Sequence, residues 1–226
     1  MTMMTTLKKL HKPNAVDQAS GEHWDKLLAY LGTRKPDKTP VSLRTVYEVN
    51  GVDSAIWALR AIDGYDREIR LFAIWCARRV LHLVDDVRCT YVMEVAESFA
   101  EGRASTIELD KADEAGEAAT LDADGNLAIF AISGVADASA YTAARCAAAY
   151  STRALSGAAS REVVRESGVD LARAEGSAEY EAVMEEAPLA WYAAHKSARS
   201  AVEGEFERML DATDAGLRYE INGDAR

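Results

Sequence analysis

Three of the four prolines, Pro13, Pro36 and Pro40, fall within the first 40 residues, and only Pro188 follows them. Proline removes a backbone donor and clashes with the preceding turn, so its scarcity leaves helix as the default for the rest of the chain. From position 102 onward 32 of 125 residues are alanine, the strongest intrinsic helix former. Clusters such as Ala143-Ala144, Ala147-Ala148-Ala149, Ala158-Ala159 and Ala193-Ala194 predict helices packed closely through small faces. The expected class is all-α: a single Ala-rich domain, a bundle or stack of roughly eight to ten helices of about 10–14 residues each.

Local signals divide the chain. Segment 1–40 reads as an N-terminal helical arm and linker, 42–119 as a helical core, and 133–226 as Ala-rich helices. Trp24, Leu27, Leu28 and Leu31 recur at helical spacing, with Gly32 placed to end the helix. The charged, proline-containing stretch 33–40 reads as an exposed connection. Helices are expected over 42–50 and 53–62, broken at Asn50-Gly51. The strongest periodicity runs from Asp66, read as a helix cap, through Ile69, Phe72, Ala73, Cys76, Val80 and Leu83. On the same segment Arg67, Arg70, Arg78 and Arg79 form a basic strip, expected to be solvated or paired with acids. Asp85-Asp86 supplies a turn and a new cap before Val92, Val95, Ala96 and Phe99, and Ser105 with Glu108 fits a capping box. At 120–132 the Asp124-Gly125 pair between apolar residues predicts a short hairpin or loop insertion.

The formal net charge is −11. That balance argues against direct nucleic-acid binding, which needs a phosphate-neutralising surface. No apolar run reaches signal-peptide or membrane-spanning length, which gives the expectation of a cytoplasmic protein with no membrane partner. The odd set Cys76, Cys89 and Cys146 suits reduced, core-packed thiols.

Catalytic and cofactor signatures are missing from the sequence: no Walker loop, dinucleotide fingerprint, G-x-S-x-G or H-E-x-x-H occurs, so no cofactor and no catalytic residue is assigned. Asp122, Asp124 and Asn126 imitate the opening of a calcium loop, but Leu127 and Ser133 occupy the positions that need glycine and glutamate. Cys76, His82 and Cys89 lack metal-ligand spacing, so no metal is expected. His11, His23 and His195 stand alone and read as structural. Between positions 94 and 124 ten acids (Glu94, Glu97, Glu101, Glu108, Asp110, Asp113, Glu114, Glu117, Asp122 and Asp124) face only Arg103 and Lys111. A second run, 162–186, holds eight acids against Arg165 and Arg173. Each run is either a solvated helix face or a surface that steers a basic partner. On the second reading Glu94, Glu97, Glu101, Glu108, Asp110, Asp113, Glu114 and Glu117 are the candidate partner-binding residues, and Tyr141, Tyr150, Tyr180, Trp191 and Tyr192 are candidate aromatic anchors or core residues.

The stretch DREIRLFAIWCARRVLHLVDDVRCTYVMEVAESFAEGRAS, 66–105, resembles the alanine-rich helical immunity proteins of bacteria and phages, of the immunity-5-like type. Asp66, Arg70, Cys76, Arg79, Asp86, Arg88, Glu94, Ala96 and Gly102 occupy the places of their pattern. The segments LLAYLGTRKP and VSLRTVYEVNGVDSAIWALRAI are similar to phage-borne members, and AAHKSARSAVEGEFERML resembles their closing helix. At 120–132 the chain departs from that pattern. The resemblance implies stoichiometric neutralisation of another protein, as an immunity or phage anti-defence factor. A nucleic-acid mimic built from spaced carboxylates, and an enzyme whose site is assembled from distant residues, are the alternatives.

Overall fold

The computed structural model describes residues 2–11 and 21–221. Among them are ten α-helices: α1 (Leu7–Leu10), α2 (Gly21–Tyr30), α3 (Leu43–Asn50), α4 (Val52–Ala58), α5 (Asp66–Arg78), α6 (Val87–Ala100), α7 (Thr106–Asp122), α8 (Leu127–Ser133), α9 (Ala140–Ser167) and α10 (Ala178–Asp214). Short 3-10 turns lie at Leu59–Ala61, Leu81–Leu83 and Gly134–Ala136. The class is therefore all-α. No helix among the described residues is long and apolar enough to cross a membrane.

The N-terminal segment carries the helices α1 and α2 and, in addition, a strand pairing that its sequence does not announce. Two short strands, β1 (Met4–Thr6) and β2 (Pro40–Ser42), pair antiparallel with Thr5 opposite Val41. Around them Met3, Leu7, Leu10 and Val41 are buried in the same apolar cluster as the helices. Thr5 secures the strand by donating its hydroxyl to the Ala61 carbonyl at 2.7 Å. The remainder of the arm at 12–20, including Pro13, lies outside the described residues, as do Met1 and 222–226.

Helix α5 packs against both α9 and α6. Its periodic residues Ile69, Phe72, Ala73 and Cys76 are buried, and Phe72 meets Phe206 of α10 edge-on at 5.4 Å. The regular helix stops at Arg78, short of the expected run to Leu83, which continues as a 3-10 turn. Tyr65, not Asp66, holds the cap position, and Asp66 lies in the first turn, where the helix dipole favours its negative charge. The caps expected at Asp86 and Ser105 both form. Asp86 Oδ1 accepts from the Arg88 amide at 2.9 Å, and the Ser105–Glu108 box is complete.

Of the short hairpin or loop expected at 120–132, no hairpin forms, and the loop is the short connection 123–126. Helix α7 continues to Asp122; Asp124 and Gly125 then adopt left-handed φ values of 43° and 79°, and Asn126 caps α8 by accepting from the Ala128 amide at 3.0 Å. The turn signal was real, but it joins two helices. They cross so closely that a Cβ on Gly116 would stand 2.9 Å from Ser133 Cβ, so only glycine fits that point of α7.

The last two helices exceed the expected length. Helix α9 has 28 residues and α10 has 37, with Pro188 inside it. Along α9 the buried residues end at Ser156, and the α10 members of the main core begin only at Val202. The two helices run past the core as an arm whose buried residues Val183 and Ala187 lie outside the main apolar cluster. The acidic run 162–186 belongs to this arm, together with exposed Met184, Leu189 and Tyr192.

Candidate interaction surface

The arginine strip of α5 divides into two kinds of contact. Arg67 Nη2 donates to Glu101 at 2.6 Å, and Arg78 Nη2 donates to Glu97 at 2.5 Å, so these two pair with acids as expected. Arg70 and Arg79 do not. Arg70 is 2% exposed and donates to the backbone carbonyls of Val135, Asp137 and Ala138 at 2.7, 2.8 and 3.2 Å. Arg79 donates to the Ala198 carbonyl at 3.1 Å and lies 5.2 Å from the Trp75 ring. Burial pulls both guanidiniums below the ordinary arginine pKa, and both retain their charge in the protein.

These contacts sort the candidate acids. Glu101 has a side chain only 15% exposed, held by Arg67 and Arg218, and Glu97 is held by Arg78. Asp122 accepts from Arg88 at 2.8 Å, which fastens the end of α7 to the start of α6. Glu108 is exposed but committed to its cap: its carboxylate accepts from the Ser105 amide at 2.7 Å, which holds its pKa below the usual range. By contrast, Glu94, Asp110, Glu114 and Glu117 are exposed and make no ion pair among the described residues.

Helix α7 turns this remainder into a surface. Leu109, Ala112, Gly116 and Ala119 face the core, which forces the opposite stripe outward. On that stripe Asp110, Glu114 and Glu117 lie between Ile107, 65% exposed, and Leu121, 87% exposed. The stripe spans about 21 Å at the helical rise. Ile107 and Leu121 were missed in the sequence because a lone apolar residue in an acidic helix carries no periodic signal.

Asp113 lies at the inner edge of this row. Burial is the main cause of its raised pKa, Asp137, Glu117 and Asp110 add to it, and Arg70 partly offsets them. A carboxylate whose folded pKa exceeds its unfolded value binds more protons when folded, so stability falls as pH rises through that interval. Asp113→Asn therefore raises the melting temperature at pH 7, by no more than about 2–4 °C after solvent screening. The gain disappears below the unfolded pKa, near pH 4. Thermal melts at the two pH values check the sign.

The residues of the resemblance pattern do not gather in one place. Cys76 and Arg70 are core residues of α5, whereas Asp86 and Arg88 form a local pair at the start of α6, with Nη2 to Oδ2 at 2.7 Å. All three cysteines are free. Burial pushes the Cys89 thiol up to about 11 and raises Cys76 and Cys146 as well, which suppresses the thiolate a nucleophile needs. His11 packs on Trp24 at 5.1 Å, and His23 Nδ1 lies 3.1 Å from Ser54 Oγ. Among the described residues no group of three or more His, Cys, Asp or Glu side chains is arranged to hold a metal ion.

No protein-family model matches the chain. No curated protein and no solved structure is significantly similar to it.

Proposed function

We propose that this chain is a non-enzymatic binding protein that neutralises another protein by stoichiometric docking. Its partner presents a basic surface to the outward stripe of α7. The observation that carries this reading is the row Asp110, Glu114 and Glu117, without ion pairs among the described residues and flanked by exposed Ile107 and Leu121. Protein interfaces combine apolar anchors with charged positions that steer the approach, and this stripe offers both. The resemblance of 66–105 to immunity proteins supports an inhibitory role as an immunity or phage anti-defence factor. Three free thiols suit action in the reducing cytoplasm.

The mimic reading is less well supported, because Glu97, Glu101 and Asp122 are bound to arginines and interrupt any phosphate-like row along the first acidic run. The test is affinity capture from host lysate by the native chain and, side by side, by a chain carrying Asp110→Lys, Glu114→Lys and Glu117→Lys. The native chain retains a basic protein that the reversed chain holds about tenfold less well or not at all. Salt above about 0.1 M, where the Debye length falls to about 10 Å, slows the association. Equal capture by both chains defeats the proposal, and so does turnover of a small molecule with no captured protein.

A further inference from the structure

Helix α9 carries Arg145, Arg153 and Arg161 on one i, i+4 row, with Ala149 and Gly157 as the intervening members. Beside this row α4 and α10 leave a cleft of about 410 Å³. Small-molecule sites span about 300–1,000 Å³, so the space suits a compact ligand. Part of the cleft is apolar: Ile56 and Val202 are buried in its lining, beside Trp57. Arg145 and Arg153 reach it from α9, and Arg199 reaches it from α10. Asp53 is the one carboxylate of the lining, and its Oδ2 already accepts from Arg199 Nη2 at 2.5 Å. Three guanidiniums against one carboxylate make the cleft positive on a chain of net charge −11. Arg153 is exposed and makes no ion pair among the described residues. His195 adds a fixed wall, stacked on Trp191 at 4.7 Å and within 3.3 Å of Ser156 Oγ through Nδ1.

Guanidinium groups arriving from two helices suit an anion with oxygens on several sides, and their planar forks favour phosphate. The apolar part of the lining asks for a flat, uncharged body attached to that anion. We infer that the cleft between α4, α9 and α10 binds a small aromatic phosphate ester, with the phosphate on Arg153 and Arg199 and the ring on Trp57, Ile56 and Val202. This site shares no residue with the acidic row of α7 and acts independently of it.

Isothermal titration calorimetry of the full chain with phenyl phosphate, in phosphate-free buffer, tests the inference, with phenol and inorganic phosphate titrated in parallel. Phenyl phosphate gives saturable one-to-one binding, tighter than either fragment. Arg153→Gln weakens it about tenfold or more, since a charge-assisted contact is lost, while Lys35→Gln in the 33–40 connection, which contributes nothing to the lining, leaves it unchanged. Arg153 is exposed and makes no ion pair among the described residues, so its substitution spares the fold. Arg199→Gln weakens binding as well, because Asp53 is then left to repel the anion. Absence of saturable heat, equal affinity for inorganic phosphate, or unchanged binding by Arg153→Gln overturns the inference.

Discussion

Replacing Arg70 with leucine lowers the free energy of unfolding by about 3–5 kcal/mol, one of the two largest losses expected from a single side chain here. The guanidinium leaves α5 and enters the junction between the Gly134–Ala136 turn and the start of α9, where three carbonyls accept from it. The Val135 carbonyl contact is fully buried, so water cannot replace the lost donor there. Leucine also deprives Asp113 and Asp137 of the positive charge that faces them. Lysine retains that charge but not the planar fork, so Arg70→Lys recovers part of the loss. Urea unfolding reads the difference as a shift in midpoint at unchanged slope. A loss below about 1 kcal/mol would show that the junction is held by other contacts.

Tyr219→Ala has a comparable effect for a different reason. The side chain is fully buried, its hydroxyl donates to Glu205 Oε1 at 2.5 Å, and the Arg208 guanidinium lies 5.0 Å from its ring. Burial and the neighbouring Glu205 carboxylate raise the phenol pKa well above its ordinary value, so the group stays a donor. Its carbonyl accepts from Arg67 at 2.7 Å, and the flanking Arg218 and Glu220 pair with each other at 2.7 Å. Removing the ring empties a core site at a cost of about 3–5 kcal/mol. For a chain of this length the melting temperature falls by roughly 10–15 °C. Tyr219→Phe keeps the volume and loses one charge-assisted hydrogen bond, so its cost is about 1.5–3 kcal/mol. Equal melting temperatures for the phenylalanine and alanine variants would show that the ring itself contributes nothing.

What could be read in advance depended on range along the chain. The apolar phase of α5, the Asp86 cap, the Ser105–Glu108 box and the helix end at Gly32 are local, and each appeared where its residues placed it. The β1–β2 pairing joins residues more than 30 positions apart and rests on three-residue strands too short for an alternating pattern. Arg70 and Arg78 share one strip, yet their partners lie far off in sequence: carbonyls near 135–138 for the first and a carboxylate on α6 for the second. Spacing along a helix cannot distinguish those fates. Asp124-Gly125 marked a turn, but the same φ values serve a hairpin and a helix junction. Alanine hid the lengths of α9 and α10, since a face of alanines offers little contrast between inside and outside. The acids between positions 94 and 124 were legible as a run, whereas their separation into engaged and free members required the positions of Arg67, Arg78, Arg88 and Arg218. The cleft was invisible for the same reason: its walls come from 52–57, 145–153 and 195–202.

The proline within α10 has a thermodynamic meaning. At Pro188 the ladder loses the amide that would have bonded to the Met184 carbonyl, one turn before the helix reaches the region of Trp191 and His195. A 37-residue helix extends about 55 Å, and only its last third, from Val202 on, shares in the common core. The weakened turn therefore falls in the part of α10 that lies outside the common core, where few buried contacts oppose local opening, so the distal ends of α9 and α10 are expected to open and reform more readily than the body. Motion of the arm need not disturb Arg70 or Tyr219, so the molecule can rearrange at one end at little cost to its overall stability.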